Sequence, residues 1–222
     1  MIEVPVIAID GPSGSGKGTI ATRLASALGF NYLDSGAIYR TLGIALHKKN
    51  VGFENIAQIS EIYSKSVIFF DPNEPKKVTL NGEDVSTSIR SQLGSESASR
   101  LGQIPEIREI LLKGQRAHRV EPGLVADGRD MGTVVFPGAD LKIFLTASIE
   151  ERAKRRHKQL ISKGIGAMLP DLLRDLGSRD KRDTERSVSP LKPAKDAVIL
   201  DSTNLDIEEV VDQILQRFKG CC

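Results

Sequence analysis

The sequence predicts an α/β fold in which helices cover both faces of a doubly wound parallel sheet, and three observations predict it. Apolar runs of strand length alternate with segments of helical periodicity along most of the chain. The first run, Val4–Ile9, leads directly into a glycine-rich turn and then into a helical pattern. The composition, 40% hydrophobic and 27% charged over 222 residues, is that of an ordinary globular chain.

The individual elements follow from these patterns. Predicted strands share a short apolar run, and predicted helices share apolar residues at helical spacing or begin with a capping box. In chain order the sequence predicts a strand at Val4–Ile9, a helix at Lys17–Leu28 stopped by Gly29, a strand at Tyr32–Leu33, a helix capped by Ser35 and ending near Lys48, strands at Leu124–Ala126, Lys142–Leu145 and Val198–Leu200, and helices opened by the capping boxes Ser148…Glu151 and Asp206…Glu209.

Two stretches depart from this alternation. Between about 64 and 85, short apolar runs flank Asn81-Gly82, a pair that favours a tight hairpin because both residues tolerate a positive φ. We predict a small antiparallel insert there. The stretch from about 154 to 187 is dense in Lys, Arg and Asp and poor in apolar residues, which predicts a short helical lid that moves over substrate. A solvated helix pair is the alternative.

The charge balance and the cysteines limit the class of protein. A formal net charge of +2 is too small to indicate a nucleic-acid or membrane surface. The N-terminus shows no signal-peptide pattern. The two cysteines, Cys221 and Cys222, are adjacent at the end of the chain, where they either form an incidental tail or carry a lipid as in small GTPases. We expect a cytoplasmic monomer without nucleic-acid or membrane partners.

A phosphate-binding loop follows the first strand, with the G-x-x-x-x-G-K pattern of a P-loop. Its glycines let backbone N–H groups approach phosphate oxygens, Lys17 adds a cation, and the following helix adds its dipole. Gly18 occupies the position that usually carries a metal-binding Ser or Thr, so we expect a metal to be held more through water than by this loop. The motif predicts a nucleoside triphosphate site formed by Gly11, Pro12, Ser13, Gly14, Ser15, Gly16, Lys17, Gly18 and Thr19.

Three more motifs fall at the carboxyl edge of the predicted sheet, where open parallel sheets bind their ligands. Residues 34–40 read Asp-Ser-Gly-Ala-Ile-Tyr-Arg after the second strand, and residues 127–132 read Asp-Gly-Arg-Asp-Met-Gly after the third. Residues 179–186 read Arg-Asp-Lys-Arg-Asp-Thr-Glu-Arg. This last run places three charged side chains on one predicted helix face, from which they can point together at a ligand: Arg179, Asp183 and Arg186.

The charges of these motifs favour a phosphoryl transfer between two nucleotides. A triphosphate donor and an acceptor phosphate bring many negative charges together, and arginine forks match phosphate oxygens. An acceptor phosphate is itself a nucleophile, so no general base is needed, and none of the three histidines lies in a motif. The cations that would balance these charges are Mg²⁺, Lys17, Arg40, Arg129, Arg179 and Arg186.

In their order and spacing the four motifs resemble those of bacterial-type cytidylate kinases, a family of nucleoside monophosphate kinases. The resemblance covers essentially the whole chain and includes the antiparallel insert, which adenylate kinases lack. It implies a P-loop kinase of pyrimidine nucleotide metabolism that transfers the γ-phosphate of ATP, with Mg²⁺, to CMP or dCMP. The implied organisation is a single domain over 1–222, with a core at about 1–35, 105–150 and 190–222, a monophosphate-binding region that carries the insert at about 36–104, and a lid at about 154–187.

The resemblance also implies roles for individual residues. It assigns the acceptor phosphate to Ser35, Arg40 and Arg129, the cytosine to Ser99, Arg108 and Asp130, the sugar to Asp183 and Arg179, the transferring phosphates to Arg186 of the lid, and catalysis to Lys17, Arg129, Arg179 and Arg186. A shift in register would put Ser95 or Ser97 in the place of Ser99.

Two aspartates of the 127–132 motif carry chemistry that the residues themselves suggest. Cytosine presents an amino donor where uracil presents a carbonyl, and a carboxylate such as Asp130 accepts from that donor. Uracil would leave the carboxylate unpaired. Asp127 ends an apolar run, as a metal-binding acid of a P-loop protein does. Coordination of Mg²⁺ through water and a structural bond to the P-loop both stay open for Asp127.

Three other classes of protein remain as alternatives. A nucleotide-dependent switch of the small-GTPase type would need Asp-x-x-Gly and Asn-Lys-x-Asp, and the chain contains neither. A P-loop kinase for another nucleotide or for a small metabolite is the second; shikimate kinases carry Asp-x-Asp where this chain has Asp34-Ser35-Gly36. A nucleic-acid-binding module is the third, but its basic residues lie around one helix without interleaved aromatic residues, which suits a solvated face better: Arg152, Lys154, Arg155, Arg156 and Lys158.

Overall fold

Strands and helices alternate along the chain as the sequence predicts. The structure is a computed structural model and describes residues 4–71, 74, 77–162 and 164–220, so the Cys221-Cys222 tail lies outside the described residues. The elements are β1 (Val6–Asp10), α1 (Lys17–Leu28), β2 (Asn31–Asp34), α2 (Ser35–Lys48), α3 (Ile56–Lys65), β3 (Ile68–Phe70), β4 (Val78–Leu80), β5 (Glu83–Asp84), α4 (Gln92–Leu101), α5 (Pro105–Arg116), β6 (Leu124–Gly128), β7 (Leu141–Thr146), α6 (Ile149–Ile161), α7 (Leu169–Glu185), β8 (Val198–Asp201) and α8 (Ile207–Lys219).

The central sheet has five parallel strands in the order β2-β6-β1-β7-β8. Every residue of β1 is buried, as expected for a strand with neighbours on both edges and helices on both faces. β1 begins at Val6 and not at Val4, because Pro5 has no N–H to donate to the ladder. The strand continues through Asp10, which brings a carboxylate to the carboxyl edge of the sheet beside Gly128 of β6.

Alternate residues of β1 face two separate hydrophobic cores. Val6 and Ala8 pack in one core with apolar residues of α2, α3, α4 and α5. Ile7 and Ile9 pack in the other with α1 and α8. This division confirms the predicted doubly wound sheet with helices on both faces.

Three helix starts differ in how the backbone is capped. The N–H of Ala37 donates to the side chain of Asp34, so the prediction that Ser35 caps α2 is wrong, and Ser35 is the first residue of the helix. At α6 the N–H of Glu151 donates to the Ser148 hydroxyl at 3.2 Å, while the Glu151 carboxylate accepts from Arg155. At α8 the capping box Asp206…Glu209 is complete in both directions.

The insert and the predicted lid also have the expected elements. β3, β4 and β5 form an antiparallel sheet, and Asn81 and Gly82 turn the hairpin with φ values of 52° and 84°. In the lid region, α6 and α7 pack against each other but bury few apolar side chains, among them Ala153 and Leu176. The motion of this helix pair stays a prediction. None of the helices in the described ranges has the length and apolar character that crossing a bilayer requires.

Candidate active site

One large cavity lies at the carboxyl edge of the central sheet. Its volume is about 770 Å³, and the loops after β1, β2, β6 and β8 line it together with α4, α5, α6 and α7. It brings together almost all the residues that the sequence singled out: Ser13, Gly14, Ser15, Gly16, Lys17, Gly18, Thr19, Ser35, Arg40, Ser99, Arg108, Asp127, Arg129, Asp130, Arg179, Asp183 and Arg186. Gly11 and Pro12 lie at the base of the P-loop and do not line it.

The P-loop has a backbone path that requires its glycines. A Cβ on Gly11 would stand 2.0 Å from the carbonyl oxygen of Leu145, and Gly16 has a φ of 95° directly before α1. The hydroxyl oxygen of Ser15 is buried without a hydrogen-bond partner in the described structure. An unpaired buried donor within a cradle of backbone N–H groups fits a bound phosphate.

The side chain of Lys17 is held inside the P-loop by a backbone carbonyl of the same loop. Its ammonium donates to the carbonyl of Pro12 at 3.1 Å. Burial, and then the charges of Arg129 and Arg179, lower the pKa of Lys17 to about 7 although Asp127 opposes them. An arriving phosphate would stabilise the protonated form, so the loop is electrostatically prepared for an anion.

Asp127 lies beside the P-loop at Gly18. A Cβ on Gly18 would be 3.3 Å from Oδ2 of Asp127, and the Tyr32 hydroxyl donates to this oxygen at 2.8 Å. Burial, and then the nearby Asp34, raise the pKa of Asp127 to about 6. A cation here would relieve this unfavourable charge. The described residues contain no group of three acidic, histidine or cysteine side chains arranged to hold a metal by themselves.

The start of α2 presents two of the predicted acceptor-phosphate residues. Arg40 pairs with Asp34 at 3.3 Å, and the Ser35 hydroxyl donates to Oε1 of Gln115 at 2.7 Å. Gln115 is a buried residue of α5 that sequence reasoning missed, because a glutamine within an amphipathic helix carries no signal of its own.

A second group of charges lies where β6 meets α7. Nε of Arg129 donates to Asp183 at 2.7 Å. Burial alone would lower the pKa of Arg129, but the Asp183 carboxylate outweighs burial and raises it. Arg179 lies nearby with Nε buried and without a hydrogen-bond partner in the described structure. Burial, and then the charge of Arg129, lower the pKa of Arg179 to about 10. The two guanidinium groups share one carboxylate, Asp183, which leaves excess positive charge for anionic ligands.

The predicted base-binding residues form a separate corner of the same cavity. Arg108 forms a buried ion pair with Asp130, and the guanidinium of Arg186 is 3.9 Å from the other carboxylate oxygen. Arg186 follows the last residue of α7 in an extended conformation, so the prediction that it shares a helix face with Arg179 and Asp183 is wrong, although all three line the cavity.

The serine predicted for the base corner lies within this cavity. Ser99 is in its wall and accepts from Nε of Arg182 at 3.2 Å, whereas Ser97 faces a smaller pocket beside Gly43. Arg182 belongs to the 179–186 motif, but the sequence assigned no role to it.

Of the five basic residues of α6, Lys154 and Lys158 are exposed as predicted, but the three arginines are not. Arg152 is buried and donates to the Ser13 carbonyl, and Arg155 donates to the carbonyls of Ser15 and Ser202. Arg155 and Arg156 line the large cavity. The prediction of a solvated face is therefore wrong for these three arginines, which support the P-loop and the cavity wall.

Fold and site together define the class of this protein. A P-loop at the centre of a doubly wound sheet, opening into one cavity with a buried carboxylate and many guanidinium groups, is the site of a P-loop protein that acts on phosphorylated nucleotides. More particularly, the chain belongs to the cytidylate kinase family, whose sequence model matches residues 7–220.

Similar proteins cover almost the full chain. A cytidylate kinase of Nitrosococcus oceani is 53% identical over 98% of this chain and 97% of its own length. A cytidylate kinase of Pseudomonas syringae pv. tomato is 51% identical over 97% of this chain and 96% of its own. The fold is also similar to that of an uncharacterized protein from Eubacterium ventriosum, with a TM-score of 0.52, 14% identity and coverage of 97% of this chain and 98% of the other.

Proposed function

We propose that the protein transfers the γ-phosphate of ATP to CMP or dCMP and releases ADP with CDP or dCDP. The observation that carries this proposal is the set of residues that line the large cavity. The cavity holds the P-loop at one side, the Arg108–Asp130 pair at another, and guanidinium groups between them. The names of the related cytidylate kinases support the same reaction.

The donor side of the cavity suits ATP and Mg²⁺. The unpaired Ser15 hydroxyl, the loop N–H groups and Lys17 would bind the β- and γ-phosphates. Asp127, with Tyr32 orienting one of its oxygens, and Thr19 would hold Mg²⁺ through water. Mg²⁺, when bound with ATP, supplies positive charge that neutralises the phosphate oxygens.

The acceptor side positions a nucleotide monophosphate. Ser35, Arg40 and Arg129 would bind its phosphate, and Asp183 with Arg179 would bind its sugar. Ser99, Arg108 and Asp130 would bind cytosine, with the Asp130 carboxylate accepting from the amino group that uracil lacks.

Charge stabilisation and alignment provide the catalysis in this proposal. The acceptor phosphate oxygen attacks the γ-phosphorus, the bond to the bridging oxygen of ADP breaks, and no proton must be removed first. Lys17, Arg129, Arg179 and Arg186 would stabilise the negative charge on the transferring group. One chain supplies the complete cavity, which supports a monomer. Both substrates are cytoplasmic metabolites, which favours that compartment.

An ADP-release assay tests the proposal. The protein is incubated with ATP and Mg²⁺ and, in separate reactions, with CMP, dCMP, UMP, AMP, GMP or shikimate. We expect fast release with CMP and dCMP and much slower release with the others. Release with shikimate alone, or with none of the six acceptors, would contradict the proposal.

A further inference from the structure

Arg152 of α6 is a buried cation that the proposed transfer does not use. Its side chain is 7% exposed and does not line the large cavity. All three of its nitrogen atoms donate: Nε to the carbonyl of Ala147 at 3.0 Å, Nη1 to the carbonyl of Ser13 at 3.0 Å, and Nη2 to Asp180 at 2.7 Å. These contacts join the end of β7, the P-loop and α7 at one guanidinium group.

Asp180 stands on α7 next to residues of the cavity. Arg179 precedes it and Asp183 is three positions later, and both of these line the cavity while Asp180 faces Arg152. Asp180 is 22% exposed, and its Oδ1 atom is buried without a hydrogen-bond partner in the described structure. Arg152 is the cation that pairs directly with this carboxylate, and the charge of Arg129 also interacts with it.

α7 buries few apolar side chains and makes several polar contacts with other elements. Leu176 is its buried apolar residue among those described, and Leu172 and Leu173 are half-buried. Arg129 pairs with Asp183 and Arg182 donates to Ser99, but the Arg152–Asp180 pair is the contact that links α7, through Arg152, to the Ser13 carbonyl of the P-loop. Its loss should therefore change the position of α7 relative to the P-loop.

We propose that Arg152 and Asp180 are a positioning pair that couples the P-loop to α7 and sets the distance between the donor phosphates and the Arg179 guanidinium. This inference rests on the proposed phosphoryl transfer. Neither residue touches substrate. They act through the Ser13 carbonyl on one side and through the helix that carries Arg179 on the other.

The pair should affect the rate of transfer more than the binding of ATP. The P-loop residues proposed to bind the ATP phosphates lie outside α7, so the KM for ATP depends little on Asp180. The KM for CMP should rise together with the loss of rate, because α7 carries Arg179 and Asp183, which would bind the sugar. Transfer requires Arg179 within bonding distance of the transferring group, and a displacement of about 1 Å is enough to slow such a step by one to two orders of magnitude.

Asp180→Asn tests this proposal, because the amide keeps the volume of the side chain and removes its charge. We expect kcat with CMP to fall about tenfold while the KM for ATP stays within about threefold of the native value. Amide hydrogen exchange in residues 169–185 of the free protein should become faster, with residues 149–161 unchanged.

A matched control exists on the same helix. Asp171 pairs with Arg174, and both are exposed on α7 at 55% and 78%. Asp171→Asn removes one carboxylate from α7 without touching Arg152, so we expect native kcat and native exchange. If Asp180→Asn matches Asp171→Asn in both measurements, the pair positions nothing and the inference is overturned.

Two further outcomes are separated by design. If the melting curve shows that Asp180→Asn does not fold, Asp180→Glu is used in its place. This variant keeps the charge and moves the carboxylate by one methylene. A native kcat for Asp180→Glu would overturn the inference. If the native protein phosphorylates neither CMP nor dCMP, the proposed function fails, and hydrogen exchange of α7 alone then decides whether the pair holds the helix.

Discussion

Asp10 and Gly132 are 122 positions apart in the chain, yet the carboxylate of Asp10 accepts the backbone N–H of Gly132 at 2.8 Å. Its other oxygen accepts the N–H of Met131, also at 2.8 Å. Asp10 directly precedes the P-loop, and Asp130 directly precedes Met131. One buried carboxylate thus ties the loop proposed for ATP to the turn proposed for cytosine.

Asp10→Asn should weaken the hydrogen bonds that hold the turn at Met131 and Gly132, next to Asp130 of the proposed cytosine site. The amide offers one acceptor and one NH₂ donor, so one of the two N–H groups loses its partner. We expect the KM for CMP to rise about tenfold and the KM for ATP to change less than threefold. Steady-state kinetics with each nucleotide varied in turn measures both, and an equal rise in the two constants would contradict the positioning role.

The same residue predicts a pH dependence. Burial, opposed by the two backbone hydrogen bonds, raises the pKa of Asp10 to about 7. As the pH falls from 8 to 6 the carboxylate takes up a proton and becomes a weaker acceptor, so the KM for CMP should rise more in the native protein than in Asp10→Asn. The phosphate of CMP titrates in the assays of both proteins. The quantity to follow is therefore the KM of the native protein divided by that of Asp10→Asn at each pH.

The stability of the fold should depend on pH in the opposite sense to CMP binding: a fall in pH should weaken the binding of CMP but stabilise the folded protein. A carboxyl group whose pKa is raised by folding binds its proton more tightly in the folded than in the unfolded chain, so its contribution to stability is fully present below about pH 4 and is lost as the pH rises through 7. Between pH 5 and pH 8, the free energy of unfolding of the native protein should therefore fall relative to that of Asp10→Asn. Urea titrations of both proteins at the two pH values measure this difference. If the free energies of unfolding of the two proteins change equally between pH 5 and pH 8, Asp10 does not titrate in that range.

Lys17 should take up a proton when ATP binds. Its pKa in the free protein is lowered to about 7, mainly by burial, so at pH 8 most molecules carry a neutral lysine. Bound phosphates favour the charged form, and we expect uptake of close to one proton per ATP at pH 8. Calorimetry in two buffers of different ionisation enthalpy measures the uptake.

Lys17→Met is the control for that experiment. It should abolish the proton uptake and lower kcat by about a thousandfold, because the transferring group loses a close cation. Near-native turnover, or an unchanged uptake, would assign both effects to another group.

Arg179→Met should lower activity without lowering stability. The Arg179 guanidinium is buried beside Arg129, and its Nε atom has no partner among the described residues, so the folded protein gains little from its charge. We expect kcat to fall at least a hundredfold and the melting temperature to stay constant or rise by a few degrees. Arg186→Met should likewise lower kcat in a folded protein.

Arg174→Met, an exposed change on the same helix, is the control and should leave both quantities unchanged. A collapse of the melting temperature in Arg179→Met would show that this arginine is structural.

Asp130→Asn should reduce the discrimination between cytosine and uracil. The asparagine can donate to the carbonyl of uracil, whereas the native carboxylate cannot. We expect the kcat/KM ratio for CMP over UMP to fall by about two orders of magnitude, with little change in the KM for ATP. Equal losses for CMP and ATP would remove Asp130 from the base site.

Much of this architecture could be predicted because local rules agree with the fold. Apolar runs marked the strands, and Gly29 and Asn81-Gly82 marked turns that need a positive φ. The P-loop and the motifs after β2 and β6 reached one sheet edge because parallel strands end there. The partners within the site could not be predicted, since they come from distant parts of the chain. Nothing in a single helix indicates that Gln115 meets Ser35 or that Arg152 meets Asp180.

The misassigned details share a physical cause. Ser35 and Asp34 both have cap chemistry, and only the backbone path decides that Asp34 takes the cap and leaves the serine hydroxyl for the cavity. A basic stretch such as that of α6 looks solvated when it is considered alone, but the P-loop beside it offers carbonyl groups that bury its arginines. A signal for Asp10 was present, since a charged residue ends an otherwise apolar strand.

The pairing of Asp10 with Gly128 across neighbouring strands has a consequence for how such enzymes diversify. The two loops that would hold donor and acceptor leave the sheet side by side, at a separation of about 4.8 Å that the ladder imposes on any sequence. Helices α4 and α5, which supply Ser99 and Arg108, stand outside this ladder. Substitutions at Ser99 and Arg108 can therefore alter how the base is held without changing the pairing of β1 with β6.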